Sequence, residues 1–236
     1  MSFTELFVPP QSGGMEEYMN KLLEICNDTN KLNGLVKAML ELALADIKKQ
    51  GVNPLVIETY RPQDRQNYLY CQGRTIAECT AKGIKSSFAK TYCNPSANII
   101  TKTLNSVHTS RKAVDIVPQR IVNKKMTAIW NVKDPQTQII IKTMQKYGFE
   151  AGANWDTFVD SPHFQVKGDF TIQFDNKHNT PYVTGVIQKA LNLKVDKSWG
   201  KTTTAAVNKF RKSMGYKTAL GQIGADAYRA LMTKSI

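Results

Sequence analysis

Residues 54–60, PLVIETY, form a short apolar, β-branched run that reads as a buried strand, and the segments around it follow a different period. From Met15 to Gln50 apolar residues recur at helical spacing, as in Val36, Leu40, Leu44 and Ile47, with Gly51 as a stop. Pro62 is placed to begin a helix through PQDRQNYLYCQ that Gly73 closes. Further strands are predicted through TLNSVH, residues 103–108, and AVDIVP, residues 113–118. Asp134 and Pro135 open a helix, QTQIIIKTMQKYG, that ends at Gly148. Helices and strands mix without regular alternation. The pattern predicts an α+β domain with a small antiparallel sheet flanked by helices, and argues against a doubly wound fold.

A chain of 236 residues, 42% hydrophobic and 22% charged, is long enough for one medium domain plus a small one. The first is expected over residues 1–168. DFTIQFDNKHNT, residues 169–180, then reads as a linker, polar at its end. From Pro181 to the end, ten Lys or Arg face two Asp, so the tail holds a net +8 of the chain's +13. Residues 181–236 are therefore expected to form a unit of their own, a small all-α three-helix domain. The tail also carries a weak internal echo: VDKSWGKTTTAAVNKF and ALGQIGADAYRAL each place a glycine-bearing turn before a short helix.

Such a positive charge favours an anionic partner: nucleic acid, an anionic membrane surface or an anionic wall polymer. Charge alone does not choose among them, but the interleaved aromatic and basic residues of a nucleic-acid module are missing. Cys26, Cys71, Cys79 and Cys93 show no CxxC or other close pairing, and read as buried free thiols. MSFTELFVPPQSGG turns to proline, serine and glycine too soon for a secretory leader, and no apolar run reaches spanning length. The chain is expected to be made in the cytoplasm without a signal peptide, as a monomer.

The chain contains three histidines. His108 lies in SVHTSRKAVD seven residues before Asp115, and His163 lies in DSPHFQ three residues after Asp160. If NSVH and AVDIV pair as neighbouring strands joined by TSRK, residues 108 and 115 fall nearly opposite each other with side chains on one face. His163 from a distant segment then completes a three-ligand set for a zinc ion (Zn2+) with a fourth position open, and Asp160 is the candidate general base. The alternative is a set of hydrogen-bonded core or surface histidines, the reading preferred for His178. Spacing alone leaves both open.

SVHTSRKAVD resembles the SxHxxGxAxD motif of the zinc peptidases that cleave peptidoglycan stem peptides, a group that includes D-alanyl-D-alanine carboxypeptidases and phage L-alanyl-D-glutamate endopeptidases. ETYRPQDRQNYLYCQGRT is similar to that family's upstream segment, and GANWDTFVDSPHFQ resembles its closing motif. The resemblance implies zinc ligands at His108, Asp115 and His163, a catalytic base at Asp160, and Arg61 stabilising charge on the scissile carbonyl. Ser106 and Gln66 match positions near the substrate. Trp155 is read as core packing. Two departures stand out. Arg111 replaces the motif glycine, so that the loop need not keep the family's turn, and Gln165 stands where an acid is usual.

From Pro181 onward the chain resembles the three-helix peptidoglycan-binding domain of many wall hydrolases, with Lys197, Arg211 and Asp226 replacing a usual glycine, glutamine and threonine. Together the resemblances imply a phage-type endolysin. It would be a zinc endopeptidase cutting the stem peptide between L-alanine and D-glutamate, tethered to the bacterial cell wall and to anionic wall polymer by its basic tail. Asp rather than Glu at position 160 looks like the endopeptidase branch. The alternatives are a D-alanyl-D-alanine carboxypeptidase of the same fold, or a non-catalytic basic binder of wall polymer or nucleic acid.

Overall fold

In a computed structural model of the protein, the described residues are 12–166, 172–173, 181–217, 222–223 and 230–231. The linker expected at 169–180 lies outside them save for Ile172 and Gln173, as do His178 and most of IGADAYRAL. Two compact units divide the chain, Met1–Cys26 with Arg61–Ser110, and Asn27–Tyr60 with Arg111–Ile236.

The first unit holds α1 (Ser12–Leu23), α3 (Gln63–Cys71), α4 (Ile76–Ala81) and α5 (Ser86–Tyr92). Pro62 precedes α3, as its fixed φ favours. Thr75 and Glu78 form a reciprocal capping box that starts α4. The small core gathers Leu22, Tyr70, Ile84, Phe88 and Tyr92. Arg65 is buried with them and donates from Nη1 to the Leu22 carbonyl at 2.7 Å, which ties α3 to the end of α1.

The second unit carries α2 (Gly34–Lys49) and α6 (Pro135–Lys146), with β1 (Pro54–Glu58), β2 (Ala113–Val122), β3 (Lys125–Ala128), β4 (Glu150–Ala151) and β5 (His163–Gln165). Asp134 caps α6 by accepting from the Gln136 amide at 2.9 Å, and Pro135 takes the first helical turn. The sheet is antiparallel with order β1-β2-β5-β4, and β3 pairs with the far end of β2. This is the α+β architecture that the mixed periodicity predicts. Val36, Leu40 and Ile47 of α2, Ile140 and Met144 of α6, and Val114, Ile116 and Phe164 of the sheet build its core.

α7 (Pro181–Ala190) and α8 (Lys201–Ser213) belong to the same unit, which also includes a two-stranded ladder of β6 (Ile172–Gln173) and β7 (Gln222–Ile223). Val186, Ile187, Trp199 and Val207 share one buried cluster with Val36 and Leu40. The apolar face of the basic tail packs against α2. Lys197 adds a polar contact to this packing: its ammonium lies 3.0 Å from the Tyr147 hydroxyl and 3.5 Å from the Asp46 carboxylate.

Candidate active site

β2 and β5 set the frame. Asp115 lies directly opposite His163 in the ladder, and Nδ1 of His163 is 3.1 Å from Oδ1 of Asp115. The other imidazole nitrogen, Nε2, is 3.1 Å from Oε1 of Gln165, two residues along the same strand. Gln165 donates from Nε2 to Oε2 of Glu150 at 2.8 Å, and Oε1 of Glu150 accepts from the Trp155 indole at 3.0 Å. A carboxylate only accepts, so Gln165 turns its amide nitrogen to Glu150 and its carbonyl to His163. The imidazole then keeps a proton on Nε2 and aims Nδ1 at Asp115.

Burial alone would lower the His163 pKa, but the hydrogen bond and charge of Asp115, the Gln165 carbonyl and the charge of Asp160 outweigh it, and the net shift is upward. The negative charge around Nδ1 thus calls for a positive one, either a proton or a metal cation in its place.

His108 is also buried, at 1% exposure, in a turn over residues 107–110. Its amide donates to the Ser106 hydroxyl at 3.4 Å, and its carbonyl accepts from the Arg61 amide at 3.4 Å. Ligand atoms of His108, Asp115 and His163 all lie within 4.8 Å of one another. Two imidazoles and a carboxylate are the donor set of a zinc site that keeps its fourth position open, so these residues fit that metal.

The route to this grouping differs from the expected one. TLNSVH is not a strand, because Ser106, Thr109 and Ser110 spend their hydroxyls on nearby backbone and fold the segment into turns. The strand partners of Asp115 are instead His163 and, in β1, the buried Glu58, which the sequence did not single out.

Asp160 is held by its backbone. Its amide donates to the Gly152 carbonyl at 3.1 Å, and its carbonyl accepts from the His163 amide at 3.2 Å. Gly152 permits this approach, since a Cβ there would lie 2.6 Å from the Asp160 carbonyl oxygen and 3.2 Å from Cβ of His163. Arg61 donates from Nη1 to Oε1 of Gln66 at 2.9 Å. Gln66 is fully buried and gives its own amide to the Thr103 carbonyl at 2.7 Å. Trp155, expected in the core, is only half-buried, with its ring 5.2 Å from that of His163. Glu150 is a further residue that sequence reading missed. Its signal was the departure at Gln165, which needs an acceptor for its amide.

Residues 100–166 match the family described as D-alanyl-D-alanine carboxypeptidase. Among solved structures, the chain is similar to the L-Ala D-Glu endopeptidase ChiX of Serratia marcescens, at 21% identity over 63% of this chain and 85% of that one, with a TM-score of 0.33. It is also similar to the vancomycin-resistance D,D-pentapeptidase VanY from a VanB-type cassette in complex with Zn(II), at 19% identity over 56% and 71% with a TM-score of 0.33. A third is the LD-carboxypeptidase LdcB, at 14% identity over 70% and 67% with a TM-score of 0.36.

Proposed function

We propose, starting from a chain whose residues 100–166 match the D-alanyl-D-alanine carboxypeptidase family, that the protein is a zinc-dependent peptidase of the peptidoglycan stem peptide. The observation that carries this reading is the His108, Asp115 and His163 donor set, two buried imidazoles and a half-buried carboxylate, which falls wholly within the matched segment. Zinc held there supplies the Lewis acidity that makes water a nucleophile near neutral pH and polarises a carbonyl.

The other roles belong to the chain's own groups. Asp160, fixed through Gly152 and His163, takes the proton of the attacking water and returns it to the leaving amine. Arg61 steadies the charge that grows on the carbonyl oxygen. Gln66 is buried, so it acts by orienting Arg61 and not by touching substrate, as its motif position had implied. Ser106 accepts from the His108 amide and sets the turn that carries this ligand. For the scissile bond we favour L-alanyl-D-glutamate, with Asp at position 160 as support, and for the biological role a phage-type endolysin. Exposed Lys194, Lys201, Lys209 and Lys212 give the C-terminal segment a surface suited to anionic wall polymer.

Zinc content and turnover on purified peptidoglycan, measured together, test the assignment. Asp160→Ala is expected to keep its zinc and lose about 100-fold or more in turnover, whereas His163→Ala loses both. An Asp160→Ala variant that is zinc-loaded and fully active would sink it.

A further inference from the structure

Cys71, Cys79 and Cys93 are separated in sequence by intervals of eight and fourteen, yet their sulfur atoms all lie within 4.8 Å of one another. Cys71 is the last residue of α3, Cys79 lies within α4, and Cys93 caps α5. The backbone fixes their approach. The Asn94 amide donates to the Cys71 carbonyl at 3.2 Å, the Gly73 amide to the Asn94 carbonyl at 2.9 Å, and the Cys93 amide to the Ala89 carbonyl at 2.9 Å. The Gln72 side chain adds a bond to the Tyr92 carbonyl at 3.2 Å. The Cys71 and Cys79 side chains are fully buried.

A small apolar core can use cysteine simply as a small hydrophobe, but that use does not require three sulfurs to meet at one point. Helices of nine, six and seven residues are too short to hold themselves, since isolated helices below about 12–15 residues are marginal in water. Few apolar side chains support them. A cation at the junction of α3, α4 and α5 would staple all three. Zinc–sulfur bonds of about 2.3 Å in a tetrahedron place the sulfurs about 3.8 Å apart, within the observed limit. The Thr75 carbonyl, 3.8 Å from the Cys93 sulfur, sits beside the cluster on the side of the α4 cap.

We propose that Cys71, Cys79 and Cys93 form a structural site for a thiophilic divalent cation of the zinc class, distinct from the His108, Asp115 and His163 set. Burial, followed by the hydrogen bond to Cys93, pushes the Cys79 thiol up to about 11, and burial raises Cys71 as well. A cation bound by Cys71 and Cys79 therefore displaces their protons. The staple steadies α3, which carries Gln66 and through it Arg61. The site stands independently of the proposed activity, because it shares no residue with the His108, Asp115 and His163 set.

Cobalt(II) separates the two sites, since only a thiolate site gives an intense sulfur-to-cobalt charge-transfer band in the near ultraviolet. The experiment loads the full-length, fully reduced protein with cobalt(II). The band is expected in the wild type, in His163→Ala and in Cys26→Ser, and is expected to disappear in Cys79→Ser and Cys93→Ser. The wild-type and His163→Ala spectra decide the matter even if a cysteine variant fails to fold. A cobalt-loaded wild type without the band, a band unchanged by Cys93→Ser, or a disulfide joining two of the three sulfurs with no bound cation would each overturn the proposal.

Discussion

Arg111 has a φ of 61° and Lys197 a φ of 60°, in the left-handed region where a residue with a side chain costs about 1–2 kcal/mol. The resemblances drawn from the sequence expect glycine at both positions, and both residues take a positive φ that glycine adopts most easily. Each basic side chain finds an offset: the Arg111 guanidinium lies 4.7 Å from the centre of the Tyr60 ring, and the Lys197 ammonium lies 4.7 Å from that of Tyr182. A cation over an aromatic face contributes about 0.5–1 kcal/mol at such sites. Removing the offset while keeping the strain is the informative change. Arg111→Ala is expected to be less stable than Arg111→Gly by about 1 kcal/mol in denaturant melts. Equal stability would mean that the backbone there relaxes. Sequence could flag these two positions as departures, but not whether the loop would keep its turn, because that depends on an aromatic ring from another segment.

Helices with a strong period and a clear cap were legible as elements. α2, α3 and α6 emerge close to where apolar spacing, Pro62, Asp134 and Gly148 place them. α4, α5 and β5 did not, being too short to show a period. The candidate metal ligands could be named from their motifs, but their geometry could not. Asp115 meets His163 through a three-residue strand that no alternation reveals, while the local hydroxyl bonds of Ser106 and Thr109 overrode the β-like look of the segment around His108. α7 shows how one side chain can organise a turn. Gln188, buried, donates to Asp196 at 2.6 Å and to Thr203 at 3.1 Å, and accepts from the amides of Asp196 at 3.1 Å and Lys197 at 2.9 Å. Truncation to Ala would strand several of these groups, so Gln188→Ala is expected to destabilise the protein by about 2 kcal/mol, read from its denaturant midpoint. A loss below a few tenths would mean that water replaces the glutamine fully.

Across the whole molecule, charge and chemistry are carried by different surfaces. The site residues are buried or half-buried, whereas much of the net +13 comes from exposed lysines such as Lys201, Lys209 and Lys212 on α8. Changing these three to Glu in the full-length chain is expected to weaken sedimentation with purified cell walls, most at low salt, while leaving cleavage of a small soluble stem peptide unchanged. Unaltered sedimentation would remove α8 as the wall contact. Among the described residues no helix is long and apolar enough to cross a membrane.

The proposed activity is metal-dependent hydrolysis of the stem peptide. It is tested most directly by digesting purified peptidoglycan with and without a chelator and identifying the released and residual peptides by mass spectrometry. New D-glutamate amino termini are expected that vanish with chelator and return with zinc. Release of terminal D-alanine alone would keep the peptidase and contradict the chosen bond, and no cleavage in the presence of zinc would contradict the claim itself.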